Sequence, residues 1–265
     1  MLFFSDCEVK VNGSGIFADS ASFSTQNSIQ SYPILGYKSP STQMPNDIIR
    51  GNISVSYFVE ADNEPNLNII NKIKSGEQYF TWEPEQIVLG GITGYGYLEG
   101  YNLKINPLEP GRAQANYSVV MPLSGSFSAV RSSRTPNYTG MINGWNTSLL
   151  SPIESPGSFL PLDMTYNFRA AWNPVTVFGE KNPMQVQFLN GEESLSMTAE
   201  STRGIAFSGT NLFSETNGYT GISLRLYGSD SEIHLSFDEM VVKSTQINGS
   251  VDDVLRVNVD AGRFF

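Results

Sequence analysis

Apolar and polar residues alternate along most of this chain. Ile53, Val55, Tyr57 and Val59 alternate with Asn52, Ser54 and Ser56. Ala115, Tyr117, Val119, Met121 and Leu123 form another such set, and Tyr95, Tyr97, Tyr101, Leu103 and Ile105 share one parity. Further on, Ile222, Leu224 and Leu226, then Ile233, Leu235 and Phe237, then Leu255, Val257 and Val259 repeat the pattern. A period of two is that of a strand with one face in a core and the other toward water or a partner.

One segment departs from it. Asp62-Asn63-Glu64-Pro65 precedes Leu67, Ile70 and Ile73, with Lys72, Lys74 and Gly76 behind them. Asn63 suits a cap, Pro65 the first turn, the trailing lysines the negative end of the dipole, and Gly76 the terminus. This predicts a short helix over 64–75. The fold class expected is therefore all-β with one short helix.

Residues 129–160 lose the alternation. Arg131-Ser132-Ser133-Arg134-Thr135-Pro136-Asn137 leads to Ser151-Pro152-Ile153-Glu154-Ser155-Pro156-Gly157, a composition suited to a linker or extended arm. The flanking regions echo each other. Leu98–Lys104, a turn, Tyr117–Val120 and Gly125-Ser126-Phe127 match in order Leu235–Lys243, a turn, Leu255–Val259 and Gly262-Arg263-Phe264. Gly51–Tyr57 echoes Gly221–Tyr227, and Val9–Gly13 echoes Gln187–Gly191. The expectation is two tandem β-sandwich or barrel-forming domains, 1–128 and a trimmed 161–265 without the helix, joined by 129–160. Within that arm, Met141 and Trp145 are the candidates for anchoring a neighbouring subunit.

Composition narrows the chemistry. The chain has 265 residues and a formal net charge of -10, which argues against binding nucleic acid through a basic face; an acidic wall is compatible with a channel through which DNA slides. One cysteine, Cys7, precludes an internal disulfide, and with one histidine, His234, it leaves no set for structural zinc. No signal peptide or membrane-spanning stretch is read, so folding in a cytoplasm is expected.

Neither His234 nor Cys7 has the neighbours of an activated catalytic group. Glu192-Glu193 and Asp252-Asp253 follow turn signals, Asn190-Gly191 and Asn248-Gly249-Ser250, while Asp238-Glu239 sits in a predicted strand. Gly90-Gly91-Ile92-Thr93-Gly94-Tyr95-Gly96 lacks the helix and lysine of a phosphate loop and reads as a hairpin turn. The chain is expected not to be an enzyme, with no catalytic, cofactor or metal residues and no cofactor.

The order of elements in residues 5–128 resembles the tail tube proteins of long-tailed bacteriophages. The matching parts are an early hairpin (7–25), a Gly-led strand (51–59), a short helix after an acidic turn (64–75) and a final pair of long strands (95–127). The resemblance implies a virion structural protein, assembled in the host cytoplasm. Its rings would stack into a tube, contact other tail proteins and pass DNA without binding it specifically. A chain with two tube-like domains implies a trimeric ring with pseudo-sixfold symmetry; a hexamer is the competing arrangement. The other reading is a carbohydrate-binding or adhesin-like β-sandwich of a tail tip, fibre or baseplate, for which Trp82, Trp145 and Trp172 could line a sugar face.

Overall fold

The computed structural model describes residues 7–27, 29–32, 35, 42–45, 48–76, 83–106, 108–129, 141–142, 148–151, 159–177, 182–201, 220–227, 232–248 and 256–265. The first half holds β1 (Val9–Val11), β2 (Ser14–Gln26), β3 (Ile29–Tyr32), β4 (Thr42–Pro45), β5 (Arg50–Phe58), α1 (Pro65–Ser75), β6 (Glu85–Leu89), β7 (Ile92–Ile105), β8 (Arg112–Val119) and β9 (Ser124–Gly125). The second holds β10 (Ser148–Ser151), β11 (Phe159–Val175), β12 (Gln185–Ser201), β13 (Thr220–Tyr227), β14 (Glu232–Asn248) and β15 (Arg256–Phe264). The all-β class with one helix is as the alternation predicts.

Six strands close on themselves in the order β7-β6-β1-β2-β5-β8, with β8 pairing back to β7. Ile53, Val55 and Tyr57 of β5 and Ala113, Ala115 and Tyr117 of β8 fill the interior and are buried. Closure pairs every strand of this ring on both sides, so hydrogen bonding and side-chain burial are satisfied together. Two-residue turns join β1 to β2 at Asn12-Gly13 and β6 to β7 at Gly90-Gly91, all four residues having positive φ. This is the mirror-type turn whose twist matches a hairpin, and the glycine run is the hairpin turn its sequence suggests. Gly94 and Gly96 then face inward, where a Cβ would stand 2.4 Å from Ile53 Cδ1 and 2.9 Å from Tyr117 Cβ respectively.

The single parity expected for Tyr95 through Ile105 is corrected by a bulge in β7. Its pairing with β8 shifts between Leu98 and Gly100, leaving Glu99 as the extra residue. Leu98 therefore shares the inner face with Tyr101, Leu103 and Ile105, while Tyr97 turns outward against Trp172 at 5.3 Å. An inserted residue reverses the alternation beyond it.

Helix α1 starts one residue later than the pattern places it. Its N-cap is Glu64 rather than Asn63: the Glu64 carboxylate accepts from Asn66 N, while Asn63 donates its side-chain amide to Gly15 O. Gly76 ends the helix in the left-handed conformation, with Lys72 and Lys74 in the last turn. Leu67, Ile69, Ile70 and Ile73 are buried.

The sheet runs without a break from the first half into the second. β7 pairs β6 through Ile92–Gly96 and then β11 through Gly100–Ile105, and the order continues β11-β12-β15-β14-β13-β10. The hairpin echo is present in space: β7–β8 and β14–β15 are both antiparallel pairs. The remaining echo is not kept in the pairing, since β5 lies beside β8 whereas β13 lies beside β14. Asn190-Gly191 is not a turn. It lies within β12, paired with Ala171 and Ala170 beside a register shift that leaves Leu189 as the extra residue, so Glu192 and Glu193 stand in mid-strand on opposite faces.

The arm expected over 129–160 is tied to the fold at its described residues. Ile142 N donates to Val59 O, Gly111 N donates to Ile142 O, and β10 pairs β13. Met141 bridges Glu60 and is buried in its own chain. Trp145 lies outside the described residues.

Candidate functional site

Three features stand out: an uncharged row across the solvent face of the sheet, two buried polar networks on α1, and a groove beside that helix. The row follows from strand registers. Ser20 pairs Ser56, Ser56 pairs Gln114, Gln114 pairs Asn102, Asn102 pairs Asn167, Asn167 pairs Ser194, and Ser194 pairs Gly262. It crosses β2, β5, β8, β7, β11 and β12 with uncharged residues alone; on β15 the Lys243 side chain lies over the buried Gly262. Asn102 Nδ2 donates to Asn167 Oδ1 at 2.5 Å, and Asn167 Nδ2 donates to Ser194 Oγ at 3.5 Å. The rows on either side hold charges of both signs, Arg112, Lys104 and Asp260 on one and Arg169 and Glu192 on the other. The acidic character of the chain is thus not concentrated on this face.

The first network sits where α1 enters the barrel. Tyr57 Oη donates to Glu64 Oε1 at 2.6 Å, Asn66 Nδ2 donates to Tyr57 Oη at 2.6 Å, and Tyr117 Oη donates to Asn66 Oδ1. Glu64 Oε2 and Tyr101 Oη make no hydrogen bond. Burial pushes the Glu64 carboxyl up from 4.5 to about 7, against the opposing effect of the hydrogen bonds from Tyr57, Asn66 and Leu67. Burial, and then the nearby Glu64 carboxyl, pushes the Tyr57, Tyr101 and Tyr117 phenols well above their usual range.

The second network joins the other end of α1 to the second half. Glu193 is fully buried on the inner face of β12. Its Oε2 lies 3.1 Å from Lys74 Nζ and accepts from Tyr166 Oη at 3.0 Å, and its Oε1 accepts from Arg263 Nε at 2.5 Å. Phe237 completes the contact, with its ring 5.0 Å from Tyr166 and 5.4 Å below Lys74 Nζ. The turn signal Asn190-Gly191 hid this strand position; the signal that could have found it is the uninterrupted alternation Glu193, Leu195, Met197.

Between α1 and the Glu232–Phe237 part of β14 lies a groove of about 300 Å3. The pairing of β14 with β13 shifts register next to this part of the strand, with Glu239 at φ 60. Asp62, Glu64, Lys74, Glu232 and His234 supply its polar lining, and Leu67, Ile70 and Phe237 are among its apolar walls. His234, met as an isolated residue in sequence, is an exposed member of this groove. Among the described residues, no group of three or more His, Cys, Asp or Glu is placed to hold a metal ion, and no helix is long and apolar enough to cross a membrane.

Trp172, a candidate for a sugar platform, is engaged by its own chain. Its Nε1 donates to Leu98 O at 2.8 Å beside the β7 bulge, and its ring lies 5.3 Å from Tyr97 and 5.4 Å from Phe188. Trp82 and Trp145 lie outside the described residues. Compared with protein-family models and with curated protein sequences, the chain matches none.

Proposed function

We propose that this chain is a structural subunit of a bacteriophage tail tube, with the solvent face of its continuous sheet turned toward the passing DNA. The observation that carries this reading is the uncharged row from Ser20 to Ser194. A wall that passes a polyanion must offer no basic stripe, because each phosphate neutralised by Lys or Arg adds affinity and slows transit. Small amides and hydroxyls hydrate the wall without holding phosphate. The order of elements supports the same reading, since β1–β2, β5, α1 and β7–β8 occupy the places of the family's hairpin, Gly-led strand, helix and final strand pair. The contacts of Trp172 with Tyr97 and Phe188 and its bond to Leu98 O give no such support to a sugar-binding face.

Electron microscopy of the purified full chain tests the proposal. Stacked rings with a central bore are expected, and their reconstruction counts three or six chains per ring. A monodisperse monomer that stays monomeric at high concentration and binds glycans would overturn it.

A further inference from the structure

We propose that β10, β13 and residues 232–240 of β14 form a hinged flap over α1, which swings about Asp238-Glu239 while the rest of the sheet stays paired. The flap belongs to a single chain and does not depend on whether chains form tubes.

Three observations converge on a hinge. First, β14 alone carries the flap. It pairs β13 through residues 232–240 and β15 through 241–248, and β10 pairs β13. Among the described residues no other strand pairing joins the flap to the main sheet. The change of partner at Met240-Val241 follows directly on a register shift that sets Asp238 and Glu239 against Gly221 alone. Second, Glu239 has φ 60. The other non-glycine residue with positive φ among those described is Asn12, in a two-residue hairpin turn where that conformation belongs. Glu239 stands in mid-strand instead. A residue with a Cβ takes up the left-handed region at a cost, and glutamate lacks the short side chain with which asparagine offsets it. Leaving that conformation relieves the cost, which makes the position a natural pivot.

Third, the seam under the flap is hydrated. Between the flap and α1 lies the groove of about 300 Å3. Asn68 and Asn71 on the helix and Glu232, His234 and Ser236 on the flap line it and are exposed, so they keep their water when the flap lifts. The latch is Phe237, just before the pivot, with its ring 5.0 Å from Tyr166 and 5.4 Å below Lys74 Nζ. Opening uncovers Leu226, Leu235 and Phe237, which are buried, and that apolar surface keeps the closed flap dominant. Leu67 and Ile70 also line the groove and are buried, so the flap governs access to this side of α1.

Native-state amide hydrogen exchange of the full chain, read residue by residue, tests the flap. Amides of β10, β13 and residues 232–237 of β14 are expected to exchange through one shared opening, faster than those of β5, β8 and β12, which open only with the whole fold. Two mild substitutions separate the openings. Ile87→Val, in the buried wall of β6 far along the sheet from the flap, should speed exchange in β5 and β8 about fivefold and leave flap exchange unchanged, because the barrel is intact when the flap is open. Glu239→Gly, at an exposed position, removes the cost of the closed conformation and should slow flap exchange about tenfold. Flap amides that speed up in step with β5 and β8 in Ile87→Val would show that no separate opening exists. Flap exchange unmoved by Glu239→Gly would show that the opening does not pass through the pivot. Either result would overturn the proposal.

Discussion

Lys74 Nζ at the end of α1 lies 3.1 Å from Glu193 Oε2 on β12, so the helix of the first half is fastened to the sheet of the second by an ion pair. Glu193 also holds Arg263 and Tyr166, and its own side chain is wholly buried. Removing it strands two cations at once. Glu193→Ala is expected to cost about 3 kcal/mol or more in urea unfolding, the range for breaking a buried ion pair on one side. Lys74→Met should cost less, because Arg263 still neutralises the carboxylate.

Stability should fall as pH rises from 4.5 to about 7. The folded Glu64 carboxyl is raised to about 7 from an ordinary 4.5. Below the ordinary value it is protonated in both states, and its contribution is fully present. Between 4.5 and 7 the unfolded chain ionises while the folded chain does not, so stability declines, levelling above the folded value. The total is about 3 kcal/mol. Glu64→Gln should flatten this part of a pH series of urea melts and be the more stable protein above neutrality; an unchanged slope in the variant would refute the assignment to Glu64.

Trp172→Phe should destabilise the chain by about 1–2 kcal/mol. It keeps most of the contact with Tyr97 and Phe188 but leaves Leu98 O, at the bulge where β7 changes partners, without its donor. Thermal unfolding of the variant measures the loss.

Met141→Ala and Ile142→Ala should each lower the stability of the isolated chain, by about 2 kcal/mol or more, because both side chains are buried against their own fold. A pure subunit anchor would instead leave isolated stability untouched and impair assembly. Paired measurements of urea unfolding and ring formation decide between the two.

For the proposed tube, Asn102→Lys with Asn167→Lys places two cations in the uncharged row without touching the core. Assembled tubes of this variant should retain added DNA in low salt and release it as salt rises, whereas wild-type tubes should retain little. Retention by neither would count against this face as the wall.

The strands were legible because burial of one face leaves a period of two in the residues themselves: Ile53, Val55 and Tyr57 name their face unaided. The helix was legible because Pro65 and Gly76 punctuate it, though its cap was misplaced by one residue, since Asn63 and Glu64 can each accept at a helix start and the choice depends on Gly15, far away in sequence. Bulges were not legible. Glu99 carries no local signal, and Asn190-Gly191 carries that of a turn although the chain only bulges beside it, at Leu189; which of the two occurs is decided by the partner strand. The uncharged row and the groove were invisible for a related reason. The row is a sum of strand registers, and the groove is lined by residues far apart in sequence, Asp62–Lys74 and Glu232–Phe237.

The shared strand β7 has a mechanical consequence. It is at once a stave of the closed barrel and the first strand of the outer sheet, so among the described residues one continuous ladder joins the two halves. A load applied at β14 passes through β15, β12 and β11 into β7 and spreads around the ring. Pulled along the strands, those ladders resist in shear, with many hydrogen bonds strained together. The barrel and the outer sheet are then expected to yield in one event, and stiffness gained in either wall is stiffness of the whole.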